Sequence, residues 1–285
     1  MVLSAEQARE LTPLFEGKKG QRLFRIVEKL TGLDKVNGTH QRIEDAGIPP
    51  GPDFAKAIMD DLGIDMQIGN PERLAFPEGP FITISNHFYG HIDGIALVDI
   101  VGHIRPRMKV LVNEVLMYLH GLAHNFISVN PTGTQRQSAT ATSINGIKSA
   151  LLQIREGEPL ALFPSGAVAD WNPFRKNGLQ ERDWQDAAVK LIRKARVPVI
   201  PIRFFDHNSW FYYSLGLIDY RVRLVRLCHE AYNKRGTHPR MGIGPVITPQ
   251  EQAAIPESEF KAFLRKSVYE MPLPDHFVLR SSLWQ

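Results

Sequence analysis

Between residues 81 and 205, short unbroken apolar runs alternate with longer segments whose apolar side chains return every three or four positions. The runs are FITIS (81–85), MKVLV (108–112), FISVN (126–130), PLALF (159–163) and VPVIPIRFF (197–205). Short apolar runs bounded by turn residues suit strands buried on both faces of a sheet. Between them, IALVDIV (95–101) follows Asp93, which stands where a helix N-cap is expected. Val115, Tyr118, Leu119 and Leu122 share one helical face behind a capping Asn113. Ile144, Ile147, Leu151 and Ile154 recur at helical spacing and close on Gly157. Ala188, Leu191, Ile192 and Ala195 form the core stripe of a helix from about Asp183. Strands alternating with helices of this length need crossover connections, and those give a parallel sheet covered on both faces. The pattern predicts an α/β fold: a largely parallel central sheet flanked by helices, with a helical N-terminal addition.

The two ends differ from this middle. Residues 1 to about 70 are helical and moderately polar, with Leu23, Phe24, Ile26, Val27 and Leu30 interleaved with Arg22, Arg25 and Lys29. Pro49, Pro50 and Pro52 mark a break. We divide the chain into a helical N-terminal segment, 1–74, and an α/β domain, 75–285. Toward the end, RVRLVRL (221–227) and MGIGPVI (241–247) are expected as further strands, with Cys228 in the core beside the first. Thr248 to Glu251 is a capping box that opens a C-terminal helix.

Composition narrows the function classes. With 43% hydrophobic and 22% charged residues the chain is an ordinary globular protein. No run of about 18 apolar residues is present, and MVLSAEQARELTPLFEGKK lacks the order of a secretory signal. A single cysteine, Cys228, excludes an internal disulfide and suits a reducing compartment. The 34 Lys+Arg against 30 Asp+Glu leave a formal charge of +4, compatible with anionic lipid or an acidic carrier protein. Zinc-finger spacing and an aromatic–basic RNA-binding signature are both missing, which sets nucleic acid aside. The basic amphipathic stretch 22–30 fits a membrane surface, or a core-packing helix with a charged outer face.

Three polar loops fall at the carboxyl ends of predicted strands, where open α/β sheets bind ligands. They are Asn86-His87 through Asp93, Asn130 to Gly133, and Pro164-Ser165-Gly166. A histidine at a strand end and an aspartate at the next helix start can meet across a short loop. One imidazole nitrogen then faces the carboxylate, and the other is free to take a proton from a hydroxyl. His91 lies in the same loop as a loop or substrate contact. No serine in a Gly-x-Ser-x-Gly setting accompanies the pair, so the attacking hydroxyl is expected to be the substrate's, as in acyl transfer from a thioester.

SNHFYGHIDG (85–94) resembles the first motif of the glycerolipid and lysophosphatidic acid acyltransferase superfamily, in which Asn-His precedes Asp. Five residues, Phe88 to Ile92, separate His87 from Asp93. With Gly90 and the Asp-Gly pair, that spacing is similar to the bacterial hemolysin-like branch, whose members include acyltransferases for lyso-amino-acid lipids. FISVNPTG (126–133) takes the place of the second motif, with Asn130 at the strand end and Arg136 the nearest arginine. ALFPSG (161–166) is similar to the third motif, usually Phe-Pro-Glu-Gly, with Ser165 replacing the glutamate. VPVIPIRF (197–204) and GIGPVI (242–247) follow in the family's order, so the resemblance spans roughly residues 75–250.

The resemblance implies a lipid O-acyltransferase in which His87 deprotonates the acceptor and Asp93 orients His87. Asn86, Asn130, Arg136, Phe163, Pro164, Ser165 and Gly166 are then the expected substrate contacts, with main-chain N–H groups near Ser165 and Gly166 steadying the oxyanion. Acyl-CoA or acyl carrier protein supplies the acyl group, with no bound cofactor and no metal. The acceptor is a lysophosphatidic-acid-like molecule or the hydroxy-fatty-acyl group of a lyso-amino-acid lipid, and Asn130 and Ser165 favour the second. The expected location is cytoplasmic, peripheral on the inner face of the cell membrane. Two other readings stand beside this one: a serine-type hydrolase using Ser165, and a non-catalytic lipid-binding module.

Overall fold

The computed structural model describes residues 16–129, 141–174 and 178–284. Its centre is an eight-stranded sheet. In chain order the strands are β1 (Gln67–Gly69), β2 (Ile82–Ser85), β3 (Lys109–Asn113), β4 (Phe126–Val129), β5 (Leu160–Leu162), β8 (Val199–Phe204), β9 (Arg240–Ile243) and β10 (Phe277–Leu279). A separate antiparallel hairpin contains β6 (Asp170–Trp171) and β7 (Leu179–Gln180). The sheet order is β10-β1-β9-β8-β2-β5-β3-β4. All neighbours are parallel except β8 with β9 and β1 with β10. The sheet therefore already includes residues 67–69.

The helices are α1 (Gly17–Thr31), α2 (Leu33–Asp45), α3 (Pro52–Asp61), α4 (His91–Ile104), α5 (Ala141–Arg155), α6 (Asp186–Ala195), α7 (Trp210–Ile218), α8 (Tyr220–Asn233), α9 (Pro249–Ala254) and α10 (Glu257–Tyr269). They cover the sheet from both sides. Phe54 and Ile58 of α3 and Leu97 and Val101 of α4 join one apolar core, while Ile154 of α5, Ile192 of α6 and Leu264 of α10 join the other. Every residue of β2 is buried; Ile82 and Ile84 face the second core, and Phe81, just before the strand, faces the first. That two-sided burial produces the unbroken apolar run. Helix α4 is apolar nearly all round because it lies between α3 and the sheet. Among the described residues, no helix is long and apolar enough to cross a membrane.

Three local expectations are corrected. Residues 221–227 belong to helix α8, not to a strand, and Cys228 lies on that helix, where burial pushes its thiol up to about 11. The apparent alternation misled because α8 turns polar side chains inward: Arg223 and Glu230 are buried together with Ala231. The segment after β3 forms two 3-10 turns, Glu114–Tyr118 and His120–Asn125, separated at Leu119, whose ψ of 73° leaves the helical region. Helix α4 is capped by Gly90, and Asp93 sits three positions further on. The expected capping box at Thr248 and Glu251 forms, with Thr248 N donating to Glu251 Oε2 at 2.7 Å and Glu251 N to Thr248 Oγ1 at 3.2 Å.

Candidate active site

Strand β2 lies mid-sheet, and its carboxyl end runs into the turn 86–90 before α4 begins. Asn86 is buried and pairs with the main chain of Phe204 in β8, donating to its carbonyl at 2.8 Å and accepting its N–H at 2.7 Å. It is a clamp between strands rather than a pocket group. His87 follows, 18% exposed, with Nδ1 3.0 Å from Asp93 Oδ2. The same Asp93 oxygen accepts the main-chain N–H groups of Tyr89 at 3.0 Å and Gly90 at 3.1 Å. Burial pushes the Asp93 carboxyl up, and His87 with the two N–H donors opposes that shift. Gly90 has φ 83°, and a Cβ there would meet Leu227 at 3.0 Å and Val168 at 3.1 Å. Glycine is therefore required at this turn.

The rest of the turn is held from further away in sequence. The Asn208 side chain donates to the carbonyls of Phe88 and Tyr89 at 3.2 Å each, and the Tyr213 hydroxyl donates to the Phe88 carbonyl at 2.8 Å. Ala169 N donates to the His87 carbonyl at 3.0 Å. Arg223, fully buried on α8, steadies that strap through the Ala169 carbonyl at 2.8 Å and Asp170 at 2.7 Å. The His87 N–H donates to Glu181, a buried carboxyl just after β7. Asn208, Tyr213 and Glu181 were not sequence candidates, and Arg223 fell in a segment expected as a strand. These four lie 94 to 136 residues from His87, and no local pattern links them to it.

His87 shares the wall of an apolar cavity of about 130 Å³ with Leu111, Leu119, Phe126, Val129, Leu162 and Phe163. The Phe163 ring lies against the imidazole, centroids 4.2 Å apart. Pro164, Gly166 and His91 also line this cavity, and burial drops the His91 imidazole to about 4, so it stays neutral. The structure thus brings His87, Asp93, Phe163, Pro164 and Gly166 together. Ser165 is buried beside them, and its hydroxyl donates to the Ala167 carbonyl at 3.0 Å. The Gly166 N–H donates to the Phe163 carbonyl at 2.9 Å, so it is not free for an oxyanion. Asn130 and Arg136 lie outside the described residues. Among the described residues, no group of three or more His, Cys, Asp or Glu side chains could hold a metal ion.

The chain belongs to the acyltransferase family. The model of that family, described as Acyltransferase, matches residues 41–273. Two similar proteins carry the name lyso-glycine lipid O-acyltransferase. The one from Phocaeicola vulgatus is 28% identical over 268 residues, covering 90% of this chain and 91% of its own. The one from Bacteroides thetaiotaomicron is 29% identical over 217 residues, covering 73% and 74%. A solved structure, the 1-acyl-sn-glycerophosphate (LPA) acyltransferase PlsC of Thermotoga maritima, aligns at 14% identity with a TM-score of 0.46, over 76% of this chain and 79% of that one.

Proposed function

We propose that this acyltransferase moves a fatty acyl group from an acyl thioester to the hydroxyl of a lysolipid, the acceptor being the hydroxy-fatty-acyl group of a lyso-amino-acid lipid. The observation that carries the reading is the 3.0 Å pairing of His87 Nδ1 with buried Asp93 on the wall of an apolar cavity. With Nδ1 engaged, Nε2 is the nitrogen left to take the acceptor's hydroxyl proton. The acceptor oxygen bonds to the thioester carbonyl carbon, and the C–S bond breaks. The departing thiolate recovers the proton from the His87 imidazolium, leaving an ester and a free thiol. Asp93 stabilises the imidazolium in between, and Phe163 fixes the ring plane. The apolar wall suits an acyl chain. A Ser165 nucleophile draws no support, because its hydroxyl proton is committed to Ala167.

The names of the two relatives support the amino-acid lipid as acceptor. Peripheral membrane contact is supported by α1, where Phe24 is buried but Leu23 is 43%, Ile26 57% and Leu30 70% exposed among lysines and arginines. On α7, which packs on α8 as α1 does, Trp210, Phe211, Leu217 and Ile218 are likewise exposed. The test is acyl transfer from labelled acyl-CoA and from labelled acyl carrier protein to a panel of lysolipids. Ester formation on lyso-glycine lipid from either donor is expected. Transfer only to lysophosphatidic acid would overturn the acceptor, and release of free fatty acid in place of ester would overturn the reaction.

A further inference from the structure

The site contains a second buried carboxyl that the reaction above does not use. Glu181 is 8% exposed, and one of its oxygens accepts the His87 main-chain N–H. Among the described residues its Oε2 has no hydrogen-bond partner, although it is buried. Ser165 and Asp93 stand near it, and burial, with Asp93 adding to it, raises this carboxyl to about 8. A buried carboxyl with one idle oxygen is costly to keep. Its bond to the main chain lies on the residue whose imidazole faces Asp93.

The neighbouring bonds show what that engagement adds. The turn is anchored at the His87 carbonyl by Ala169, at the Phe88 and Tyr89 carbonyls by Asn208, and at the Tyr89 and Gly90 N–H groups by Asp93. None of those bonds engages the His87 N–H, where the turn leaves β2. Glu181 meets it from the β6–β7 hairpin. We propose that Glu181 is a positioning residue of the acyl-transfer site: by accepting the His87 main-chain N–H it fixes the strand-end turn, and with it the line from the imidazole to Asp93. This rests on the reading of His87 as the base.

The experiment compares wild type, His87→Ala, Glu181→Ala, Glu181→Met and Glu181→Gln of the full chain. The assay is labelled acyl transfer to the best lysolipid acceptor, with thermal melting as the fold control. Methionine fills the space without a good acceptor and stands in if the alanine variant does not fold. A 1 Å misplacement of a reacting group costs about 10²-fold, so Glu181→Ala and Glu181→Met are expected to lose kcat on that order with KM unchanged. Glutamine keeps an accepting oxygen and is expected to restore most of the rate. Amide exchange at His87 reads the same contact without substrate: protection should fall in Glu181→Met and persist in Glu181→Gln.

Wild-type kcat in the methionine variant, a loss confined to KM, or a glutamine variant as impaired as methionine would each overturn the proposal. The last outcome would mean that the charge or proton matters, not the accepted N–H. A fully active His87→Ala would sink the reading of His87 instead, whatever the Glu181 variants do.

Discussion

Replacing Asp93 by asparagine removes one charge from the site and changes almost nothing else. A single carboxylate oxygen accepts from His87 and from two main-chain N–H groups. In the amide, those two backbone donors will hold the carbonyl oxygen in the same place, because the NH2 group cannot accept from them. The His87 tautomer is then preserved, and what is lost is attraction for the imidazolium. Unit charges 3.0 Å apart attract by about 5.5 kcal/mol at an effective dielectric of about 20. With the proton half transferred in the transition state, about 2.8 kcal/mol is forfeited, or about 100-fold in kcat. The assay is steady-state acyl transfer at saturating thioester, with melting to show that the fold survives. A rate within about threefold of wild type, worth only about 0.7 kcal/mol, would refute the electrostatic role. A loss of about 10⁴-fold, as when an amide substitution turns the tautomer, would refute the pinned oxygen.

Other consequences can be measured on the same protein. Gly90→Ala forces a side chain into a φ of 83° and against Leu227 and Val168. Strain of about 1–3 kcal/mol is expected to lower the melting temperature, and activity should fall further because the turn carries Asp93's donors. Unchanged melting and activity would contradict the strain. His103 is raised to about 9, first by its bond to Asp99, with Asp53 3.2 Å from Nε2 and the Trp284 ring stacked 4.8 Å away. Because the folded value lies above the unfolded 6.5, this group's stabilisation is complete below about pH 6.5 and fades as pH rises through about 9. His103→Gln should remove that part of the melting-temperature slope, and an identical slope would show that the cluster does not stabilise the charged imidazole. Glu181 acts in the same direction, since its folded value of about 8 exceeds the reference 4.5. Glu181→Gln should therefore melt higher relative to wild type at pH 8 than at pH 5, and an equal difference at both would contradict its burial as an acid.

Buried parallel strands announce themselves because both faces need apolar side chains, and 81–85, 108–112, 126–130, 159–163 and 197–205 all contain strands of the sheet. The His87–Asp93 pair was legible for a related reason: a strand end, a short loop and a helix start are local, so six positions sufficed to bring the side chains together. Local signals failed where a helix buries charge. Helix α8 hides Arg223 and Glu230 in hydrogen-bonded networks, so its periodicity does not look apolar. β1 and β10 are three residues each and only partly apolar or half-exposed, so no buried run marks them. The supports of the His87 turn were invisible because Glu181, Asn208 and Tyr213 reach it through tertiary folding. Asn86 looked like a site residue from its place beside His87, and in the fold its side chain is spent on Phe204.

The most direct test of the central claim is the rate of labelled acyl transfer to a lysolipid by His87→Ala, beside wild type, with both shown to be folded by melting. A general base in this position predicts a loss of about 10²–10⁴-fold in kcat. Transfer by the alanine variant at the wild-type rate would contradict the account, because His87 would then not be needed to take the acceptor's proton.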